Sequence, residues 1–309
     1  MSSSNQMLVM YLILSGISNV AELQFPVFLL VVLTYLLTLG GNMTIFLLVC
    51  LDRHLHTPMY FFLCNLSILD MSSTTVTMHR VFSGFITGDN TISFSACLAQ
   101  MYMFASLTSN ELLLLTIMSY DRYMAICHPL RYQTVMSLRF CRKLTATCWA
   151  FGFVQVFPLV VMLSGVTCFR TIEINHFFCN IMPLIRLPCS DASIPQLFNF
   201  VNGLILAILP FFLTFIPYIF IVMAILKIRS SNGRRKTFYT CSSHLTVIVL
   251  LYTSLVCQYL KPDSMTSKGS NKLYSLFNTT AVPLLNPVIY SLKNKDVKAA
   301  LRRRRRFIS

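Results

Sequence analysis

Met118-Ser-Tyr-Asp-Arg-Tyr-Met-Ala-Ile-Cys-His-Pro-Leu-Arg-Tyr132 is the stretch on which the fold turns. It follows an apolar run over residues 93–118, and it places an acid, Asp121, beside a base, Arg122, where that run gives out. About 20 mostly apolar residues cross a bilayer as a helix. A run of this kind that ends on a charged pair reads as a membrane span reaching an interface. Arg122 is there a charge that needs a partner, and Asp121 is one. A guanidinium has five donors in a planar fork, which suits a side chain that exchanges partners between two states.

The chain repeats the run on either side. It has 309 residues, 55% hydrophobic and only 11% charged, where a soluble domain carries about 25% charge. Such a chain cannot cover a water-facing surface of its own size, and lipid is the simplest solvent for it. Apolar stretches at 26–50, 57–78, 93–118, 144–164, 196–226, 238–260 and 273–292 give seven candidate spans. Pro158, Pro210, Pro217, Pro283 and Pro287 fall inside them. Kinked spans are expected there, since neighbouring helices re-satisfy the freed backbone groups.

The net charge of +15 lies in the short loops. Arg53, Arg122, Arg131, Arg139, Arg142, Lys143, Lys227, Arg229, Arg234 to Lys236, Lys293, Lys295, Lys298 and Arg302 to Arg306 fall on one side of the membrane. Arg80, Arg170, Arg186, Lys261, Lys268 and Lys272 fall on the other. The richer side is cytoplasmic. The expectation is an all-α membrane protein, a seven-transmembrane helix bundle with its N-terminus extracellular and its C-terminus cytoplasmic. Residues 1–25 form the outer N-terminus, 26–292 the bundle, and 293–309 a basic cytoplasmic tail. Val297, Ala300 and Leu301 have helical spacing in that tail. An amphipathic helix there would lay its arginines on anionic lipid, at ~1 kcal/mol per charge.

Other classes fit less well. The basic charge does not point to nucleic acid, because it is confined to loops. Eleven cysteines without CxxC pairs or Cys/His clusters argue against zinc. Met7 to Leu14 is apolar for eight residues with no base before it, so no cleavable signal is expected. Transporters show repeated halves and channels show charged rings or filter loops; neither pattern is visible.

Ionisable groups inside spans are costly and usually functional. Asp70 and Glu111 lie near mid-span, and His244 lies near the inner end of the sixth run, where it could reach an interface. Two carboxylates at similar depth repel unless a cation or proton sits between them. A sodium ion or a shared proton on Asp70 and Glu111 is therefore expected, with no other cofactor required.

The Met118 to Tyr132 stretch resembles the Asp-Arg-Tyr signature of rhodopsin-like (class A) G-protein-coupled receptors, in the extended form of the vertebrate odorant (olfactory) receptor family. The likeness covers nearly the whole chain. Gly41-Asn42 lies in the first run, and Leu55-His-Thr-Pro-Met-Tyr-Phe-Phe-Leu63 and Leu66-Ser-Ile-Leu-Asp70 lie in the second. Thr240-Cys-Ser-Ser-His-Leu245 opens the sixth, Pro283-Leu-Leu-Asn-Pro-Val-Ile-Tyr290 closes the seventh, and Ser291-Leu-Lys-Asn-Lys-Asp-Val-Lys298 follows. The pattern is closer to the land-vertebrate class than to the fish-like one. Departures are Pro217 before Tyr218, Tyr239 before Thr240, and the lack of an N-terminal glycosylation sequon: Asn5 and Asn19 do not begin one. The sequons at Asn42, Asn65 and Asn278 fall inside the runs, so no N-linked glycan is expected.

The resemblance implies a plasma-membrane receptor of olfactory sensory neurons. By the same resemblance it would bind a small odorant and activate a stimulatory heterotrimeric G protein to raise cyclic AMP, and it would not be an enzyme. The same build working outside olfaction is the runner-up. Asp121, Arg122, Tyr123, Tyr218, Asn286, Pro287 and Tyr290 would form the switch. Phe104, Ala105, Thr108, Ser109, Asn202, Leu255, Tyr259 and Thr279 would face the ligand. That set has no acid or base, and position 104 holds Phe, so a neutral organic ligand is expected rather than an amine. Cys97, Cys168, Cys179 and Cys189 lie on the outer side, where disulfides form. Four cysteines allow three pairings, which the residues alone leave open; the resemblance selects Cys97 with Cys179 and leaves Cys168 with Cys189.

Overall fold

The computed structural model describes residues 11–17, 21–259, 272, 274–293 and 295–308. The apolar runs become long helices, and each outlasts its run until a local signal stops it. Helix α1 spans Ala21–Leu51 and α2 spans Pro58–Thr87. Thr57 is extended (φ −119°, ψ 162°) because Pro58 follows it. Gly88, left-handed at φ 71°, ends α2 with its N–H on Gly84 O at 3.0 Å. Ser93 caps α3 (Phe94–Cys127), accepting from Ala96 N–H at 3.3 Å. Hydropathy ends the third run at Met118, but the helix continues past Asp121 and Arg122 to the residue before His128-Pro129.

Helix α4 (Pro129–Val135) leads to α5 (Leu138–Val154) and α6 (Phe157–Ser164). The fourth run is thus two helices meeting at Gln155 and Val156, because Pro158 has no N–H to give to the turn before it. A short α7 (Ile181–Ile185) lies in the long connection, followed by α8 (Ser193–Leu226) and α9 (Ser231–Tyr259). A π-helical turn, Phe277–Ala281, enters α10 (Val282–Lys293), and α11 (Lys295–Ile308) follows. The ends of the sixth and seventh runs at 260 and 273, together with Lys261, Lys268, Asn5 and Asn19, lie outside the described residues.

The fold is mostly helical rather than all-α. Strands β1 (Tyr11–Leu14), β2 (Thr91–Ser93) and β3 (Glu173–Ile174) form a sheet in the order β2-β1-β3. Strand β1 is antiparallel to β2, with Leu12 opposite Ile92, and parallel to β3, with Ile13 opposite Glu173. Within the apolar 7–14 stretch, Leu12 and Leu14 turn inward and Tyr11 and Ile13 outward, the period-two pattern of a strand. Four residues are too few for that alternation to stand out in sequence.

Among the described residues, four helices are long and apolar enough to cross a membrane: Glu22–Leu51, Phe94–Cys127, Leu138–Ser164 and Ser193–Leu226. At about 1.5 Å per residue each exceeds a ~30 Å hydrocarbon layer. Helices α1 and α8 leave Leu29, Leu33, Leu36, Ile205, Leu209 and Phe212 exposed, an apolar surface that water would not tolerate and lipid would. Helix α2 is more polar because it packs against both α1 and α3. Its hydroxyls turn back on their own helix, Thr74 onto Asp70 O at 2.7 Å and Thr77 onto Ser73 O at 3.0 Å. Asn42, Asn65 and Asn278 all lie within helical turns.

Helix α11 docks by its apolar side, with Val297 and Ala300 buried. Tyr60 hydroxyl donates to Asp296 at 3.0 Å, and Arg303 donates to Asp52 at 2.6 and 3.1 Å. The Arg303 hydrogen bonds pull the Asp52 carboxyl down to about 2.

Candidate functional site

Helix α3 carries the charged pair on its last turns. Arg122 Nη2 and Nε donate to Asp121 Oδ2 at 2.6 and 3.1 Å. Asp121 is buried, and its other oxygen accepts from the Tyr132 hydroxyl at 2.8 Å. Tyr132 reaches it because Pro129 starts α4, which folds back beside the end of α3. Two donors from one side and one from the other hold the carboxylate in place. Tyr123 is turned away: its hydroxyl lies 3.0 Å from His128 Nε2, and its ring packs on Phe220.

Across from the pair, Tyr218 of α8 and His244 of α9 are both buried, with the hydroxyl 2.6 Å from His244 Nδ1. His244 therefore does not reach an interface; its sixth-run position faces the interior, tied to the neighbouring helix. Its Nε2 and the Tyr290 hydroxyl are buried without a hydrogen-bond partner among the described residues. Orphaned polar atoms of this kind are costly to bury, and both lie among the groups that surround Arg122.

Further along the bundle, Asn286 of α10 donates through Nδ2 to both oxygens of Asp70, at 3.1 and 3.0 Å. Glu111 interacts electrostatically with Asp70, and its Oε1 is buried with no hydrogen-bond partner among the described residues. Two buried carboxylates with an unspent oxygen fit a monovalent cation or a shared proton. Among the described residues no three His, Cys, Asp or Glu side chains gather as possible metal ligands. Helix α10 is seated on α1 by Asn42, which donates to Thr38 O at 3.1 Å and to Pro283 O at 3.0 Å. Gly41 lets Pro287 close in, since a Cβ there would meet Pro287 Cγ at 2.9 Å.

At the other end of α3, two disulfides, Cys97–Cys179 and Cys168–Cys189, hold the 165–195 connection. Gln100 supports the first, accepting from Cys179 N–H at 2.9 Å and donating to Val76 O at 2.8 Å. The eight candidate ligand residues do not all converge. Phe104 packs edge-on against Phe178 at 4.9 Å. Thr108 bonds back to Phe104 O at 3.0 Å, and Ser109 to Ala105 O at 2.9 Å. Ser109 and Asn202 are joined through Gln155, which donates to the Ser109 hydroxyl at 2.8 Å and accepts from Asn202. Gln155 sits at the α5–α6 break, where sequence reading saw only a kink. Thr279 lies in the π-helical turn, nearly buried beside Thr74. Leu255 is half-buried on α9, and the side chain of Tyr259 lies outside the described residues. Among the described residues, none of the eight lines either of two cavities of about 120 and 520 Å3.

His176, three residues before Cys179, was not legible as a site residue. It is buried, with Nε2 3.0 Å from Ser275 Oγ and Nδ1 accepting from Phe178 N–H at 3.4 Å. Burial, and then the Lys272 ammonium, push its pKa down to about 4. The unfolded chain takes up this proton near 6.5. Between the two values the unfolded state binds more protons, so stability rises with pH and is lost as pH falls. The purified receptor is expected to melt at a lower temperature at pH 5 than at pH 7, at a slope of up to ~1.4 kcal/mol per pH unit. His176→Gln should flatten that dependence; an unchanged slope in the variant would assign it elsewhere.

The comparisons with known proteins agree on one family. The family model described as "Olfactory receptor" matches residues 31–305. Mouse olfactory receptor 8G50 is 43% identical, over 97% of this chain and 96% of its own length. Human olfactory receptor 6B3 is 40% identical, over 98% and 92%. Mouse olfactory receptor 8U9 is 42% identical, over 94% and 93%. With that identity across nearly its whole length, and with helices built for lipid, the chain belongs to the olfactory receptor family of membrane receptors and is not an enzyme.

Proposed function

We propose that this receptor crosses the plasma membrane of olfactory sensory neurons seven times, with residues 1–25 outside and the 293–309 tail inside. A small neutral organic odorant binds between α3, α8, α9 and the π-helical turn, against Phe104, Ala105, Thr108, Ser109, Asn202, Leu255, Tyr259 and Thr279. Binding activates a stimulatory heterotrimeric G protein and raises cyclic AMP. The observation that carries this reading is the clamp on Arg122: Asp121 holds the guanidinium, and Tyr132 holds Asp121.

In the activated state α9 moves outward and Arg122 exchanges Asp121 for Tyr218 and Tyr290. Breaking the Tyr218–His244 contact is part of that exchange, and Asn286 and Pro287 are where α10 adjusts. The odorant drives it only through its differential affinity for the two states. The arginines of the tail rest on anionic lipid of the inner leaflet. A cyclic-AMP reporter screen of the expressed receptor against chemically diverse volatiles tests the reading. At least one neutral volatile should give a saturable, receptor-dependent response. Responses confined to cations would refute the assigned ligand class, and ion flux without cyclic AMP would refute the receptor mechanism.

Asp70 and Glu111 would hold a sodium ion or proton that favours the resting state. Asp70→Asn is then expected to remove the sodium dependence of odorant potency. A coupling of 1–3 kcal/mol makes that dependence roughly 5-fold or more in the native receptor. Potency independent of sodium and pH in both the native protein and the variant would leave the pair a structural contact only.

A further inference from the structure

Strand β1 straps the ends of α1 and α2 before the chain enters α1. Leu14 N–H donates to Asn90 O and Ser15 N–H to Ile174 O, both at 3.0 Å, and Gly16 turns the chain at φ 67°. The strap roofs the smaller cavity, of about 120 Å3, which is distinct from the odorant faces of α3 and α8. Its apolar walls include Val27 and Phe28 from α1, Phe85 from α2, and Phe177. Asn90 also lines it, and its side-chain oxygen occupies the space that a Cβ on Gly84 would take.

Among the described residues one charged side chain, Arg80 of α2, lines this space. Its Nη2 donates to Thr91 O. Its Nε is buried and has no hydrogen-bond partner among the described residues. No carboxylate among the described residues lies within ion-pair distance of Arg80. The acid that feels its charge is Asp89, whose Oδ1 is already engaged by Thr91 N–H at 2.8 Å. The Arg80 guanidinium is half-buried beside aromatic walls with no carboxylate paired to it, which suits it to an anion.

We infer that this cavity is a second ligand site, for a short-chain carboxylate whose carboxyl group meets Arg80 and whose alkyl end lies against Phe28 and Phe85. The apolar part of the wall, Val27, Phe28 and Phe85, favours an anion with an alkyl end over a bare inorganic one. The volume suits a short chain: a closed cavity of about 150 Å3 admits benzene, and the 120 Å3 here is of the order of five non-hydrogen atoms. Phe177 places the site near the odorant faces, since its ring lies 5.0 Å from Phe178, which packs on Phe104.

The test is binding of propanoate to the purified receptor in nanodiscs of zwitterionic lipid, read by saturation-transfer NMR, independently of any signalling. Propanoate should bind about tenfold or more tightly than propanamide, which has the same shape and no charge. Arg80→Gln should abolish propanoate binding through the lost charge. Val27→Phe should abolish it by filling the cavity with Arg80 intact. Equal binding of acid and amide to the native receptor overturns the inference, as does native propanoate affinity in either variant.

Discussion

Replacing Cys97 and Cys179 together by serine is expected to lower receptor at the cell surface by about tenfold or more, a loss set by the 2–5 kcal/mol that a native disulfide typically contributes. The bond joins residues 82 apart. In the chain-entropy account a loop of that length is worth about 4.5 kcal/mol, against about 3.3 kcal/mol for the 21-residue separation of Cys168–Cys189. The first pair also anchors more structure. Cys179 is buried with Leu12, Leu14, Ile92 and Ile174, so its loss loosens the sheet, the connection and the start of α3 together. The corresponding change at Cys168 and Cys189 should be milder. Surface staining by flow cytometry measures both, and native surface levels in the Cys97 and Cys179 double variant would contradict this ranking.

The long helices were legible because a bilayer demands long apolar runs, and a run needs no partner to be recognised. Their ends were less legible. Hydropathy stops at Met118, whereas the helix stops where Pro129 forbids it, nine residues after Met118 at Cys127. Asp121 and Arg122 were readable as a pair because they are adjacent. The Tyr132 donor was not, since it depends on α4 folding back after His128-Pro129.

The same limit applies wherever two helices meet. Asn42 stood out in sequence, but its bond to Pro283 O is set by helix packing across 241 positions. Gln155 looked like one residue of a kinked span, yet it joins Ser109 to Asn202. His244 could have pointed to either side of its helix, and only the position of α8 brings Tyr218 to it. Polar side chains in α2 and α9 carry such contacts, which is why those helices look less like spans than α1 or α8. The local sequence states how long a helix can be; the neighbours decide what its polar groups do.

Arg122 is the element proposed to exchange partners between two states. Removing it should separate binding from response, because the proposed odorant residues of α3, Phe104 to Ser109, lie ~20 Å or more along the helix from Arg122. Arg122→Ala should therefore bind odorant with the affinity of the uncoupled native receptor. It should lose the G-protein-induced tightening, which by reciprocity equals the odorant's effect on the G protein, roughly 5–150-fold for a coupling of 1–3 kcal/mol. Tyr290→Phe should weaken signalling less, since it removes a hydroxyl and no charge. The decisive measurement is an odorant dose–response curve for cyclic AMP, native against Arg122→Ala, at matched surface expression. The variant should give a flat line at baseline alongside retained odorant binding, and a maximal response equal to that of the native receptor would contradict the exchange at Arg122.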